Sequence, residues 1–405
     1  MASEVNPTQG NAWPAPGTPP GPPNLPVHWI PTDDQSLPPA PGIALCLSGG
    51  GYRAMLFHLG TLWRLNELGY LPKLDRISSV SGGSITAAVL GMNWSSLALD
   101  PGTGVAAGFD NFVVTPIRKL ARKTIDLPAV LLGMLSLGLL GSQTSVFYRQ
   151  HAFHEKKLQD LPPRPTFILN STSMQTGSLW RFSKAYMADW RVGVINNPQV
   201  DLAVAVAASS AFPPFLSPVI HHPKESDFVP NSGYDLQRPP FTTRLLLTDG
   251  GVYDNLGLET AWKKYQTVLV SDACARNQPV ERPPLNWLMQ AYRVLMVIDA
   301  QVGSLRKRQV IDSFKAPAGN ANFRTGAYWG IGGHVADYDL PDPMPCPVEL
   351  TAPLAGFETR LRTVAESMQE RLINWGYAIC DTAMRRHVVT GQPAPSKFPY
   401  PRGLS

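Results

Sequence analysis

Cysteine is scarce: four residues in 405, Cys46, Cys274, Cys346 and Cys380, far apart and with no C-x-x-C. That excludes a disulfide-stapled scaffold and a zinc ribbon, and it predicts reduced thiols. Charged residues make up only 16%, and the net charge of +5 is too modest for a nucleic-acid partner. Nor are the basic residues interleaved with aromatics in a patch. No uncharged apolar run reaches the ~20 residues that a bilayer-spanning helix needs. The N-terminus lacks a basic stretch followed by an apolar one, so no secretory signal is read. A cytoplasmic location is expected, with peripheral membrane association as an open option. There is no G-x-x-x-x-G-K-[ST] run, which removes a P-loop ATPase. There is no calcium-loop spacing, and His221-His222 has no third ligand at metal spacing, so metal-independent chemistry without a cofactor is expected.

Proline, by contrast, is abundant, with 40 residues. Twelve of them fall in the first 41 residues, which cannot hold a helix or a central strand and are expected to form a flexible tail. Residues 42–390 are expected to be one catalytic domain, and 391–405 an irregular, proline-rich end. At 44% hydrophobic residues, the middle can bury a large core. Within a cap region of about 110–160 lies an uncharged stretch, Leu127 to Gly141, preceded by Arg118, Lys119, Arg122 and Lys123. It has two readings, a buried cap or a segment that docks on an anionic membrane.

Three motifs carry chemistry. Arg76 to Val80 reads as a strand and Gly82 to Leu90 as a helix, with Ser81 at the apex of the turn between them. That is the geometry of a nucleophile elbow, in which the hydroxyl is pushed out at a helix N-terminus. The usual pattern is G-x-S-x-G; this chain has Ser79-Val80-Ser81-Gly82-Gly83. Ile43 to Leu47 is a second apolar strand, followed by Ser48-Gly49-Gly50-Gly51 and a helix to about Leu68. Three bare glycines offer backbone amides to an anion, as an oxyanion hole requires. Gly49-x-Gly51-x-x-Ala54 also fits a relaxed dinucleotide fingerprint, but Asp75 precedes the next strand instead of ending it, against that reading. The third motif is Arg244 to Gly257, in which an apolar strand ends in the carboxylate of Asp249 and Gly250-Gly251 turns the chain away. Two tandem strand-turn-helix units put their turns on one edge of a parallel sheet, where α/β sites assemble.

Together these segments resemble the patatin-like phospholipase family. Ser48-Gly49-Gly50-Gly51-Tyr52-Arg53, Ser79-Val80-Ser81-Gly82-Gly83 and Asp249-Gly250-Gly251 look like its three signatures. Ala207-Ala208-Ser209-Ser210-Ala211-Phe212-Pro213-Pro214-Phe215 is similar to its A-S-x-A-x-P-x-F block. The resemblance runs from about Ile43 to Asp272 and extends to cytosolic phospholipase A2, which shares the same dyad logic. It implies a three-layer α/β/α sandwich with a central, mostly parallel sheet. It also implies Ser81 as nucleophile, Asp249 as its only side-chain partner, and the amides of Gly49, Gly50 and Gly51 as oxyanion hole. The implied partner is a phospholipid or another lipid ester. The chain departs from the family at Ser48, often an aspartate in plant members, and at Ser79.

Arg53 has two readings, a lipid-phosphate ligand near the mouth or a structural ion pair. A Ser-His-Asp triad is the mechanistic alternative and would draw on His334 or His387; His58, inside the first helix, reads as structural. The function expected is a serine acyl hydrolase of the phospholipase A or lysophospholipase type, working through an acyl-enzyme. The alternatives are an acyltransferase with the same dyad and a membrane-binding effector with a vestigial site. Trp287 to about Phe314 has helical spacing and ends in Arg306-Lys307-Arg308, a solvated face. Leu361, Val364, Met368, Leu372, Trp375 and Ile379 predict an amphipathic C-terminal helix.

Overall fold

The computed structural model describes residues 39–125, 140–214, 216–274 and 279–405. The Leu127–Gly141 reading falls almost wholly outside the described residues, as do the first 38 residues and Phe215. The strands are β1 (Ala40–Leu47), β2 (Arg76–Val80), β3 (Thr166–Ser173), β4 (Leu179–Phe182), β5 (Tyr186–Asp189), β6 (Gly193–Asn196), β7 (Val219–His221), β8 (Leu245–Asp249), β9 (Tyr265–Asp272) and β10 (Thr325–Gly330). The helices are α1 (Gly51–Glu67), α2 (Gly82–Met92), α3 (Thr115–Ala121), α4 (Leu140–Tyr148), α5 (Leu202–Ser209), α6 (Gly251–Asp254), α7 (Glu259–Trp262), α8 (Trp287–Lys315), α9 (Val348–Ala355) and α10 (Glu366–His387).

All ten strands join one sheet, in the order β10-β9-β1-β2-β3-β4-β5-β6, with β8 against β3 and β7 against β8. The five strands from β10 to β3 are parallel and the remaining pairings antiparallel. Side-chain alternation along β1 builds the layers. Leu45 and Leu47 face the main core with α1, α2 and α10, whereas Ala44 and Cys46 face Leu258 and Ala261 near α7 and Val310 of α8. This is the three-layer α/β/α sandwich. The first strand begins at Ala40, inside the segment read as tail; its register against β9 shifts between Ala40 and Ile43, around Pro41, which has no N–H for the ladder.

The described flanks of the 110–160 region belong to the main core: Val113, Ile117, Leu120, Tyr148 and Phe153 are all buried in it. The end of the chain is irregular, as expected, yet it is packed. Asn374 Nδ2 donates to the carbonyls of Tyr400 and Gly403 at 2.9 and 2.7 Å, and Leu404 is buried.

Helices α1 and α10 cross with their backbones in close contact. A Cβ added at Gly60 would stand 1.9 Å from the Ile373 carbonyl, and one at Gly376 would stand 1.9 Å from the Phe57 carbonyl. Beside this crossing Asp381 is fully buried between two guanidinium groups, Arg64 Nε at 2.8 Å and Arg385 Nε at 3.0 Å. Removing the carboxylate would leave buried Arg64 and Arg385 with only the more exposed Glu67 and Asp342 as acidic partners. Asp381→Ala is therefore expected to destabilise the fold by about 3 kcal/mol or more, read by urea denaturation. A loss under about 1 kcal/mol would place this pair with weak surface pairs.

Candidate active site

The register of three strands builds the site. Parallel β2 ends with Val80 opposite Asn170 of β3. Antiparallel β8 arrives from the other direction and ends with Asp249 opposite Ser171, the next residue of β3. Two strands thus run head to head along one side of β3, and the residues at their tips meet. The Asp249 carboxylate accepts the Gly251 N–H at 2.7 Å, and the Ser81 hydroxyl stands near enough to hold its pKa down.

Ser81 stands between β2 and α2 with φ 51° and ψ −119°, a conformation costly for any residue with a Cβ. Such a backbone carries about 1–3 kcal/mol of strain and persists only where its surroundings enforce it. Ser209, the last residue of α5, does so from one side. Its hydroxyl accepts the Ser81 N–H at 3.0 Å, and its carbonyl accepts the Gly250 N–H at 3.3 Å. One residue thereby fastens both the elbow and the turn after the aspartate. The fourth motif pointed to Ser209 by resemblance, but its bridging role is not legible from sequence spacing.

Ser81 is 8% exposed and Asp249 2%. Burial raises the Asp249 pKa to about 7; the bonds from Gly251 and Ser81 oppose the rise, and the charge of Asp299 on α8 adds to it. Among the described residues, no histidine bonds to Ser81 or Asp249. Buried His58 instead holds the glycine loop: Nε2 faces the Ser48 carbonyl at 2.9 Å and Nδ1 faces Ser271 Oγ at 2.9 Å. Burial lowers its pKa to about 4, so the ring is neutral, with Nε2–H donating and Nδ1 accepting. His387 lies elsewhere, on a cavity of about 650 Å³ lined also by Tyr328, Tyr338 and Lys307 but by neither Ser81 nor Asp249.

The glycine loop lies beside Ser81. A Cβ on Gly49 would fall 3.2 Å from Ser81 Cβ and 2.2 Å from Asn255 Oδ1, so only glycine fits. Its amide is already used, donating to the Asn255 carbonyl at 3.0 Å. This narrows the expected set of three donors: among the described residues, the amides of Gly50 and Gly51 donate to no carbonyl. Asn255 went unnoticed in the sequence because nothing in its spacing marks it. Ser48 anchors the loop, its hydroxyl accepting the Ala273 N–H at 2.7 Å.

Arg53 corrects both of its expected readings. It is 1% exposed and pairs with no carboxylate among the described residues. Its guanidinium donates to the carbonyls of Ala273, at 3.0 and 3.1 Å, and Phe357, against Gly50. Burial lowers its pKa to about 10. Arg53 therefore braces the loop from behind, and a lipid phosphate could reach it only by displacing those carbonyls.

Removing the Ser209 hydroxyl leaves the buried Ser81 N–H unsatisfied and frees the elbow to tilt. Ser209→Ala is expected to lower kcat about tenfold or more with little change in KM, since a slightly misaimed nucleophile costs over ~1.4 kcal/mol of barrier. Steady-state kinetics checks this; an unchanged kcat with only a lowered Tm would reduce Ser209 to a packing residue.

No curated protein sequence matches the chain. Among solved structures it is similar to human GIVD cytosolic phospholipase A2 at 15% identity and TM-score 0.48, covering 84% of this chain and 58% of that one. The chain thus spans a little over half the length of that neighbour. It is also similar to VipD from Legionella pneumophila, at 15% identity and TM-score 0.34, covering 85% of this chain and 66% of that one. The family model for patatin-like phospholipases matches residues 45–262, more than half of the sequence. The strand, elbow, glycine loop and aspartate all lie inside that span, and the chain belongs to the patatin-like phospholipase family.

Proposed function

We propose that this chain is a lipid acyl hydrolase that cleaves carboxylic esters of phospholipids or lysophospholipids through a Ser81–Asp249 dyad. The observation that carries the reading is the convergence of Ser81 and the buried Asp249 carboxylate at the tips of β2 and β8, beside a loop whose Gly50 and Gly51 amides donate to no carbonyl among the described residues.

The ester carbonyl sits over Ser81 with its oxygen toward the amides of Gly50 and Gly51. Each such donor is worth roughly 3 kcal/mol to the tetrahedral intermediate, because it is aimed at charge that develops only there. Ser81 Oγ attacks as Asp249 takes its proton. The intermediate collapses, the leaving alcohol receives that proton from Asp249, and an acyl-enzyme remains. Water, deprotonated by Asp249, attacks the acyl-enzyme; the fatty acid departs and Ser81 regains its proton. An ordinary carboxylate, with a pKa of about 4, is too weak a base for these steps. Burial that lifts Asp249 to about 7 gives it basicity near that of a histidine.

Residues Gly49 and Arg53 act on this chemistry indirectly. Gly49 permits the close approach of loop and nucleophile, and Arg53 fixes the peptide carbonyls that hold the loop in place.

A fluorophosphonate probe is expected to label the wild type and not Ser81→Ala. Asp249→Asn should retain the fold and lose roughly 10³-fold in turnover, the size of a missing general base. Equal labelling of Ser81→Ala would overturn the nucleophile assignment. Because only ionised Asp249 accepts a proton, kcat/KM should fall as pH drops through about 7. Asp299→Asn removes a neighbouring negative charge, makes Asp249 easier to ionise, and should shift that acid limb to lower pH. A limb that stays in place would detach Asp299 from the site.

A further inference from the structure

The exposed apolar surface of this protein is concentrated. Of the large hydrophobic residues exposed among the described ones, more than half lie between Leu285 and Leu305. Most belong to α8, whose only buried residues, Val310 and Ser313, are near its C-terminus. That end is bolted down: Arg306 pairs with Glu259 at 2.9 Å, and Trp262 Nε1 donates to Ser313 Oγ at 2.8 Å. In the other half no residue is fully buried, and the apolar side chains of one face are exposed.

Trp287, Val294, Ile298 and Leu305 are seven, four and seven residues apart, which at ~3.6 residues per turn places them on one face. All four are more than half exposed. Asp299 comes one residue after Ile298, about a quarter-turn round the helix, and its charge acts on Asp249. The helix therefore turns an acid toward the dyad and an apolar stripe toward solvent. Residues 281–312 carry five basic side chains and three acids, Glu281, Asp299 and Asp312, so the segment is net positive. Exposed Arg282 and Arg308 flank the stripe at its two ends.

We infer that the N-terminal half of α8 is a docking surface for an anionic phospholipid bilayer. No described helix is long and apolar enough to cross a membrane, so α8 would lie in the interface, with Trp287 and the stripe among the headgroups and acyl chains. Its basic flanks favour an anionic leaflet. If, as proposed for Ser81, the substrate is a lipid ester, docking by this helix delivers it beside the dyad.

The test uses the Ser81→Ala protein, which cannot turn over lipid. It is mixed with vesicles of phosphatidylcholine plus phosphatidylglycerol, or of phosphatidylcholine alone, and centrifuged. Co-sedimentation is expected with the mixed vesicles and should weaken with phosphatidylcholine alone. Trp287→Glu/Val294→Glu should weaken it at least about tenfold, the scale for losing two buried apolar groups. Leu305→Glu, on the same stripe, repeats the test at a single site, and circular dichroism checks each fold. Absence of co-sedimentation, or binding that none of these substitutions weakens, would overturn the docking surface. So would a dimer in gel filtration that the double substitution dissociates while vesicle binding stays the same. Probe labelling of the Ser81 protein that survives loss of docking would leave the hydrolase reading intact, and docking without labelling would leave the reverse.

Discussion

Everything in the site depends on two strands ending opposite adjacent residues of a third. β2 runs parallel to β3 and stops at Asn170; β8 runs antiparallel and stops at Ser171. Neither strand can extend without colliding with the other, so both chains must turn away at the meeting point. The serine and the aspartate sit at those two turns, and their contact follows from the ladder. Ser209 locks the arrangement by holding Ser81 through its hydroxyl and Gly250 through its carbonyl. The strain at Ser81, with φ 51°, is sustained by these fixed neighbours.

Burial supplies the chemistry. A carboxylate withdrawn from water is a costly group, and that cost appears as basicity. The same desolvation makes His58 neutral and lowers the pKa of Arg53, yet these residues do different work. In the proposed mechanism Asp249 has the Ser81 hydroxyl to deprotonate, whereas His58 and Arg53 hold only carbonyls and a serine and so brace the glycine loop. Asp299 extends the electrostatics of the site onto α8, the helix with the largest share of exposed apolar surface.

Much of this was legible in the sequence, for identifiable reasons. The elbow, the glycine loop and the β8 aspartate are local features, each a strand followed by a turn, and local features leave their mark in a few consecutive residues. The apolar run from Ile43 to Leu47 likewise marked a strand. What stayed hidden was long-range. Arg53 read as a possible ligand because nothing in its neighbourhood announces the carbonyls of Ala273 and Phe357, more than 200 residues away. The use of the Gly49 amide by Asn255 and the bridging by Ser209 are hidden in the same way. Helix α8 read as scaffold because its period is that of any amphipathic helix. Only the packing shows that its apolar stripe faces out.

A crystal structure of the protein after reaction with a fluorophosphonate tests the central claim most directly. It should show phosphorus bonded to Ser81 Oγ, the phosphoryl oxygen within hydrogen-bonding distance of the Gly50 and Gly51 amides, and the Asp249 carboxylate still facing Oγ. An adduct on another residue, amides turned away from the phosphoryl oxygen, or a histidine standing where Asp249 is expected would contradict it.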